Sequence, residues 1–458
     1  MKKRYSIPLF LLLTGGCLCF WKWDTWFKNT PEAPYSTPSF QDRITLTAGE
    51  DGETSRRISW RCDSTLSEAH LEYTDSITRD TTQIPAQGRI VQTRAGKSAF
   101  YQAELTGLVA DRAYFYRVIN DTVKSSWYSF SIPSGKDSLS FIYFGDIQDP
   151  ASGKTAAIFK SLHRRYPHTA FWALAGDVIE RPTDEYWNYW FSTMDSVSTS
   201  QLLLAATGNH EYLKGLPKVL DSRWTATFSY PHNGPKNFEG QSYVVHFKDL
   251  CFIVIDSDGI QGPVSLYRHY VWLKEILAQS DKKWKIVMMH HPAYSVRAHR
   301  NNFYVRYTFK PLYEKYGVDL VLQGHDHGYS RINTKNNGIP GSPVYIVSSC
   351  SPKHYNIGFN PIHDRLGSGL NLYQYITLRN DTLHYRSFTV EKNELYDELY
   401  LIRDGKDNRI TDKGINLPEQ VELPESYQNS KKINRERYNR QMEERREMLR
   451  QNKTTPTP

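Results

Sequence analysis

Cysteine is scarce in this 458-residue chain, which holds only five. Cys17 and Cys19 fall in an apolar N-terminal run, which leaves Cys62, Cys251 and Cys350 scattered through the body. Three such thiols form no disulfide framework and have no zinc-ribbon spacing, so buried free thiols are expected. Charge of one sign is also in short supply. The formal net charge is +8, and between Lys431 and Lys453 nine basic residues face only four acidic ones, so the body is only mildly basic. That gives little electrostatic footprint for a nucleic-acid partner, and no nucleic-acid-binding module is evident. Internal repeats are missing as well. What the chain does have is 31 Tyr, 11 Trp and many short apolar runs separated by turn signals. That composition suits a packed globular protein, long enough for two domains and a tail.

The first residues read as an address. Lys2, Lys3 and Arg4 precede a mostly apolar stretch from Ile7 to Trp21, shorter than the roughly 20 residues a membrane span needs and closer to a secretory leader. Leu13-Thr14-Gly15-Gly16-Cys17 places small residues just before a cysteine and resembles the lipobox of bacterial lipoproteins, in which that cysteine is lipidated. An uncleaved signal anchor and plain secretion are the alternatives, and all three put the body outside the cytoplasm. The expectation is a bacterial membrane-anchored lipoprotein, in the periplasm or at the cell surface, attached through a lipid on Cys17.

After the leader (1–21) and a Pro- and Thr-containing linker (22–38), residues 39–133 alternate in short β-type runs such as RRISWRC and AYFYRV. Trp60, Leu108 and Tyr114 are spaced as in fibronectin-III-like sandwiches. From 138 to 403 apolar runs alternate with helical stretches, among them 151–166, 183–195, 267–279 and 309–316, which indicates a layered α/β domain. Residues 404–458 lose apolar periodicity and read as a charged C-terminal tail, either a solvated helix or disordered.

Within the α/β region, apolar strands end on metal-type residues. FIYFGD ends on Asp146, ALAGD on Asp177, AATGN on Asn209 followed by His210 and Glu211, IVMMH on His290 followed by His291, and VLQGHDH on His325 and His327. Loops converge at strand carboxyl ends in α/β folds, so these side chains would share one crevice. A lone Gly-Asp is an ordinary turn. Five such endings in order are not.

The ordered motifs Gly145-Asp146, Gly176-Asp177, Gly208-Asn209-His210-Glu211, Val287-Met288-Met289-His290 and Gly324-His325-Asp326-His327 resemble those of the calcineurin-like metallophosphoesterase superfamily, and specifically its purple acid phosphatase branch, over about 43–403. The resemblance implies a β-sandwich flanked by helices, preceded by an all-β fibronectin-III-like sandwich. It implies two metal ions, iron, manganese or zinc, with Asp177 bridging. Asp146, Asp177 and His327 would hold the first, and Asp177, Asn209, His290 and His325 the second. Phosphate mono- or diesters would be hydrolysed by a hydroxide held between metals about 4 Å apart. His210 and His299 are the candidates to polarise phosphate or protonate the leaving group, with Arg297 and Arg300 as charge clamps. His291 and Glu211 are expected to orient neighbours instead.

Two departures fall on the first metal. Most relatives have Asp-x-His where this chain has Asp146-Ile147-Gln148, and purple acid phosphatases have a tyrosine where this chain has Glu180. Gln148 is therefore a candidate ligand through its amide oxygen, with a supporting hydrogen bond as the alternative. A divalent first ion is favoured. Stretches 224–239 and 293–304 are expected to border the crevice, though their aromatics suit packing equally. The competing function is a cell-surface binding protein with a vestigial metal site.

Overall fold

The computed structural model describes residues 20–454 apart from 79, 134–137, 150–152, 334–342 and 406. The lipobox-like run ending at Cys17 lies outside the described residues.

Leu139–Phe144, Phe171–Leu174 and Leu203–Ala205 are apolar on both faces because they are covered on both sides, as interior parallel strands must be. They pair in parallel, Phe141 opposite Phe171 and Trp172 opposite Leu203. Leu372–Arg379, Thr382–Thr389, Leu395–Asp404 and Asp407–Asp412 extend the sheet as an antiparallel meander. In a second sheet Leu250–Ile255, Trp284–Met289, Leu320–Gln323 and Val344–Val347 run parallel. The sheets stack face to face, with Phe252 edge-on to Phe141 and Phe171 at centroid distances of 5.9 and 5.1 Å. Helices Lys154–Arg165 and Asp184–Met194 cover the first sheet. Pro263–Gln279 and Phe303–Tyr316 cover the second. The last begins earlier than its sequence suggests because Val305, Phe309 and Leu312 share the buried face.

The preceding β-domain is the expected sandwich. Trp60, Leu108 and Tyr114 are buried in it, and the Tyr114 hydroxyl accepts the Val109 amide at 2.7 Å. It is not a separate bead, however. Asp42–Ala48 pairs in parallel with Leu203–Ala205, Thr47 opposite Leu203, so one sheet of eleven strands runs through both domains. Asp184 reinforces the joint, pairing with Arg43 at 2.7 Å and Arg61 at 3.0 Å, all nearly buried.

The segment expected to be a charged tail is tied down. Asp407–Asp412 is the edge strand of the large sheet. Helix Lys432–Thr454 inserts Tyr438 and buries Arg445, which donates to the His363 carbonyl at 2.9 Å, the Asp364 carbonyl at 3.1 Å and Glu419 at 2.7 Å. One buried arginine among several solvated ones leaves no periodic signal. The three body cysteines are buried and free.

Candidate metal centre

The two parallel strand sets end at the same edge, where the sheets are stitched together. Asp146 bridges to Ser349, the Tyr143 hydroxyl donates to the Gln323 carbonyl at 2.5 Å, and Gly324 N–H donates to the His290 carbonyl at 3.0 Å. The motif glycines are forced by this closeness. A Cβ on Gly324 would sit 2.4 Å from Asp146 Oδ1, and one on Gly176, at φ 86°, would sit 2.8 Å from His290 Nδ1.

Two donor groups form here, Asp177 with His290 and His325, and Asp177 with Asp146 and His327, each with ligand atoms within 4.8 Å of one another. Asp177 is common to both, as a bridging carboxylate must be. Asp177, His325 and His327 hold positive φ of 48°, 73° and 46°, a conformation that costs about 1 kcal/mol or more per residue. Glu211 supports the first of these turns. Its carboxylate accepts the amides of Gly208, Asp177, Val178 and Ile179 at 2.6, 3.0, 2.8 and 3.2 Å.

The imidazoles are aimed by their outer nitrogens. His290 Nδ1 is 2.9 Å from the Ala175 carbonyl, which as an acceptor fixes the proton there and leaves Nε2 facing Asp177 Oδ2 at 3.3 Å and Asn209 Oδ1 at 3.3 Å. His327 Nδ1 is likewise 3.1 Å from the Lys353 carbonyl, so Nε2 faces Asp146 Oδ2 at 3.2 Å. His325 Nδ1 lies 2.9 Å from His290 Nε2. Burial pushes the Asp146 carboxyl up to about 8 and the His327 imidazole down to about 3. Burial also acts against the Asp177 charge, but His290 and His210 outweigh it and hold that carboxyl below its usual range.

These residues fit two cations on the donor chemistry alone. Asp146 Oδ2, His325 Nε2 and Gln148 Oε1 are buried at the centre without hydrogen-bond partners, an arrangement that costs free energy unless a cation completes it. Gln148 has its amide nitrogen on Glu180 Oε2 at 3.2 Å, which fixes its flip and frees the oxygen. Lys353 forms an ion pair with the same Glu180 oxygen. Glu180, at the position where the resemblance implies a tyrosine, thus holds Gln148 and is itself held by Lys353.

Of the other predicted residues, His210 is at the crevice: Nδ1 is 2.5 Å from the Glu180 carbonyl and Nε2 3.8 Å from Asp177 Oδ2. Arg297 and Arg300 line it too, and Arg297 stacks on Tyr355 at 3.9 Å. Asp326 fixes their loop through Ser295 Oγ at 2.6 Å and the Val296 and Arg297 amides at 2.8 and 3.2 Å. His291 is tied to Ser257 at 3.1 Å and Asp258 at 3.6 Å. His299 is exposed and absent from the crevice lining, and it accepts from Arg437 of the C-terminal helix at 3.3 Å. The stretch 224–239 does not border the crevice. Trp224, Phe228 and Tyr230 are buried in the main core, where their aromatic area is worth most. Sequence reasoning missed Lys214, Lys218, Lys353 and Tyr355, single residues outside any motif.

Residues 139–329 match the calcineurin-like phosphoesterase family, and residues 41–132 match the purple acid phosphatase N-terminal domain. An uncharacterized Mycobacterium tuberculosis protein is 27% identical over 265 residues, 50% of each chain. Purple acid phosphatase 15 of Arabidopsis thaliana is 31% identical over 35% of this chain and 31% of its own length. Purple acid phosphatase 18 of that plant is 24% identical over 67% of this chain and 68% of its own length. The match thus spans half or less of the length of the first two of these relatives. Among solved structures, a purple acid phosphatase from yellow lupin seeds superposes with a TM-score of 0.65 at 17% identity, covering 81% of this chain and 76% of its own. PhoD superposes with a TM-score of 0.58 at 12% identity, covering 91% and 100%. Both show the fold.

Proposed function

The chain carries a calcineurin-like phosphoesterase domain behind a purple acid phosphatase N-terminal domain, and on that premise we propose that it is an exported metal-dependent phosphoesterase acting on phosphate mono- or diesters. The observation that carries this reading is Asp177, one carboxylate shared by two buried donor groups. Asp146, Gln148, Asp177 and His327 would hold one ion of iron, manganese or zinc, and Asp177, Asn209, His290 and His325 the other. Bound there, the ions would supply positive charge to the phosphate and water of lowered pKa.

The chain's own groups do the rest. His210, with Nδ1–H held on the Glu180 carbonyl, turns Nε2 toward the reacting region and, as the imidazolium, is placed to pass its Nε2 proton to the departing oxygen. Arg297 and Arg300 offer charge to the phosphate oxygens. Glu180 provides no phenolate, so the first half is expected to favour a divalent ion and the loaded protein to be colourless. Export rests on Lys2, Lys3, Arg4 and the lipobox-like run to Cys17. No helix among the described residues is long and apolar enough to cross a membrane.

The test is metal content together with hydrolysis of p-nitrophenyl phosphate and its bis ester, after chelation and reloading with manganese, zinc or iron. Two ions per chain and restored turnover are expected. A chain that takes up no metal and hydrolyses neither ester would overturn the proposal in favour of a surface binding protein. A visible band that tracks activity would overturn the divalent first site.

A further inference from the structure

Four aromatic residues stand in solvent at the start of the described chain: Phe20 is 86% exposed, Trp21 73%, Trp23 56% and Trp26 also outside the core. A soluble surface rarely leaves such a cluster uncovered. Lys22 lies over the Trp21 ring at 4.2 Å, and Lys28 pairs with Asp24 at 3.6 Å. Trp mixed with Lys is the composition of a membrane–water interface, where indole sits at headgroup level and ammonium meets lipid phosphate. The apolar run Ile7–Trp21 ends on this same cluster.

The segment is fixed to the rim of the metal crevice. Asn29 exchanges hydrogen bonds with the Lys214 backbone, its Oδ1 accepting at 2.8 Å and its Nδ2 donating at 3.1 Å. Lys214 Nζ donates to the Asp24 carbonyl at 3.2 Å, and Thr25 lines the crevice. Glu32 then anchors the chain, its nearly buried carboxylate paired with Arg223 and accepting the Asp184 amide at 2.7 Å. The Lys214 loop also carries Leu216, 77% exposed. Lys214, Lys218, Arg297 and Arg300 line the mouth, and Lys218 Nζ lies 3.9 Å from the buried carboxylate of Asp258.

From these contacts we infer that Phe20–Lys28 is a membrane-interface element that seats the mouth of the metal crevice against an anionic bilayer. Aromatic residues enter the headgroup layer, the cationic rim faces lipid phosphate, and the Lys214 loop touches the surface beside them. Phosphate esters carried on lipid headgroups are then the substrates brought to the site, a consequence that rests on the phosphoesterase reading. The seating itself does not.

The experiment uses the full chain in vesicles of phosphatidylethanolamine and phosphatidylglycerol, against a Trp21→Ser/Trp23→Ser/Trp26→Ser variant. These side chains are exposed, so an unchanged melting temperature is expected. Hydrogen exchange over 214–219 should be about tenfold slower in the wild type than in the variant, with 64–78 on the distant sandwich equal in both. Equal exchange over 214–219 would overturn the proposal. So would protection that vanishes when protein is diluted at constant lipid, which would assign the cluster to a second copy. Turnover of phosphatidic acid added as a third lipid to these vesicles should fall about tenfold in the variant while p-nitrophenyl phosphate is unaffected. A wild type that hydrolyses neither ester overturns the phosphoesterase reading, while the exchange result still decides the seating.

Discussion

The two halves of the metal centre are built differently. On one side Asn209, His290 and His325 come from strand ends, and His290 takes its orientation directly from a main-chain carbonyl, that of Ala175. On the other, Asp146 and His327 also come from strand ends, with His327 aimed by the Lys353 carbonyl, but the proposed further donor Gln148 depends for its aim on a chain of side chains, Lys353 to Glu180 to Gln148. A backbone acceptor is as rigid as the sheet it belongs to, whereas a side-chain relay can be lost with one substitution. The first half should therefore be the weaker and more adjustable of the two.

Asp177→Asn should break the comparison outright, because it removes the one donor common to both halves. Metal content should fall at both, with ester turnover lost by about a thousandfold, the scale of a principal electrostatic group. Full turnover in this variant would refute a two-metal site.

Gln148→Ala and Glu180→Gln sharpen it. Each should weaken one metal equivalent by roughly 10- to 100-fold and spare the other, read by titration of the apoprotein. Asn209→Ala should weaken the opposite equivalent. If Gln148→Ala and Asn209→Ala weakened the same ion, the division into halves would be wrong.

A smaller effect separates scaffold from site. Burial, with Arg445 close by, pushes the His363 imidazole down to about 4. It stays neutral in the fold while the unfolded chain takes a proton below its ordinary value of about 6.5. The stability this contributes is complete above pH 6.5 and is lost as pH falls from there to about 4. The melting temperature should drop across that window, and His363→Gln should flatten the drop. The smallest effect belongs to His299→Ala, expected to change ester turnover less than about threefold, because that ring faces Arg437 and not the crevice.

The amino-acid sequence by itself determined which residues are candidates for the centre. Each follows an apolar strand, each motif glycine sits where a Cβ would collide, and order along the chain was enough to single out Asp146, Asp177, Asn209, His290, His325 and His327. Local pattern carries this because strand ends and tight turns are short-range features. Only the tertiary structure decided what stands around them. That His299 turns away, that Lys353 holds Glu180, that the Trp224 stretch is core, and that Arg445 is buried in a helix of mixed charge depend on contacts between distant positions. So does the sandwich strand Asp42–Ala48, which enters the eleven-stranded sheet through Thr47 and Leu203, a pairing of residues 156 positions apart that no local period records. The aromatic cluster at 20–26 straddles the leader and the linker as the sequence divides them, and carries no motif. Its place at the mouth of the crevice came from Asn29, Lys214 and Glu32, single polar residues whose partners only folding supplies.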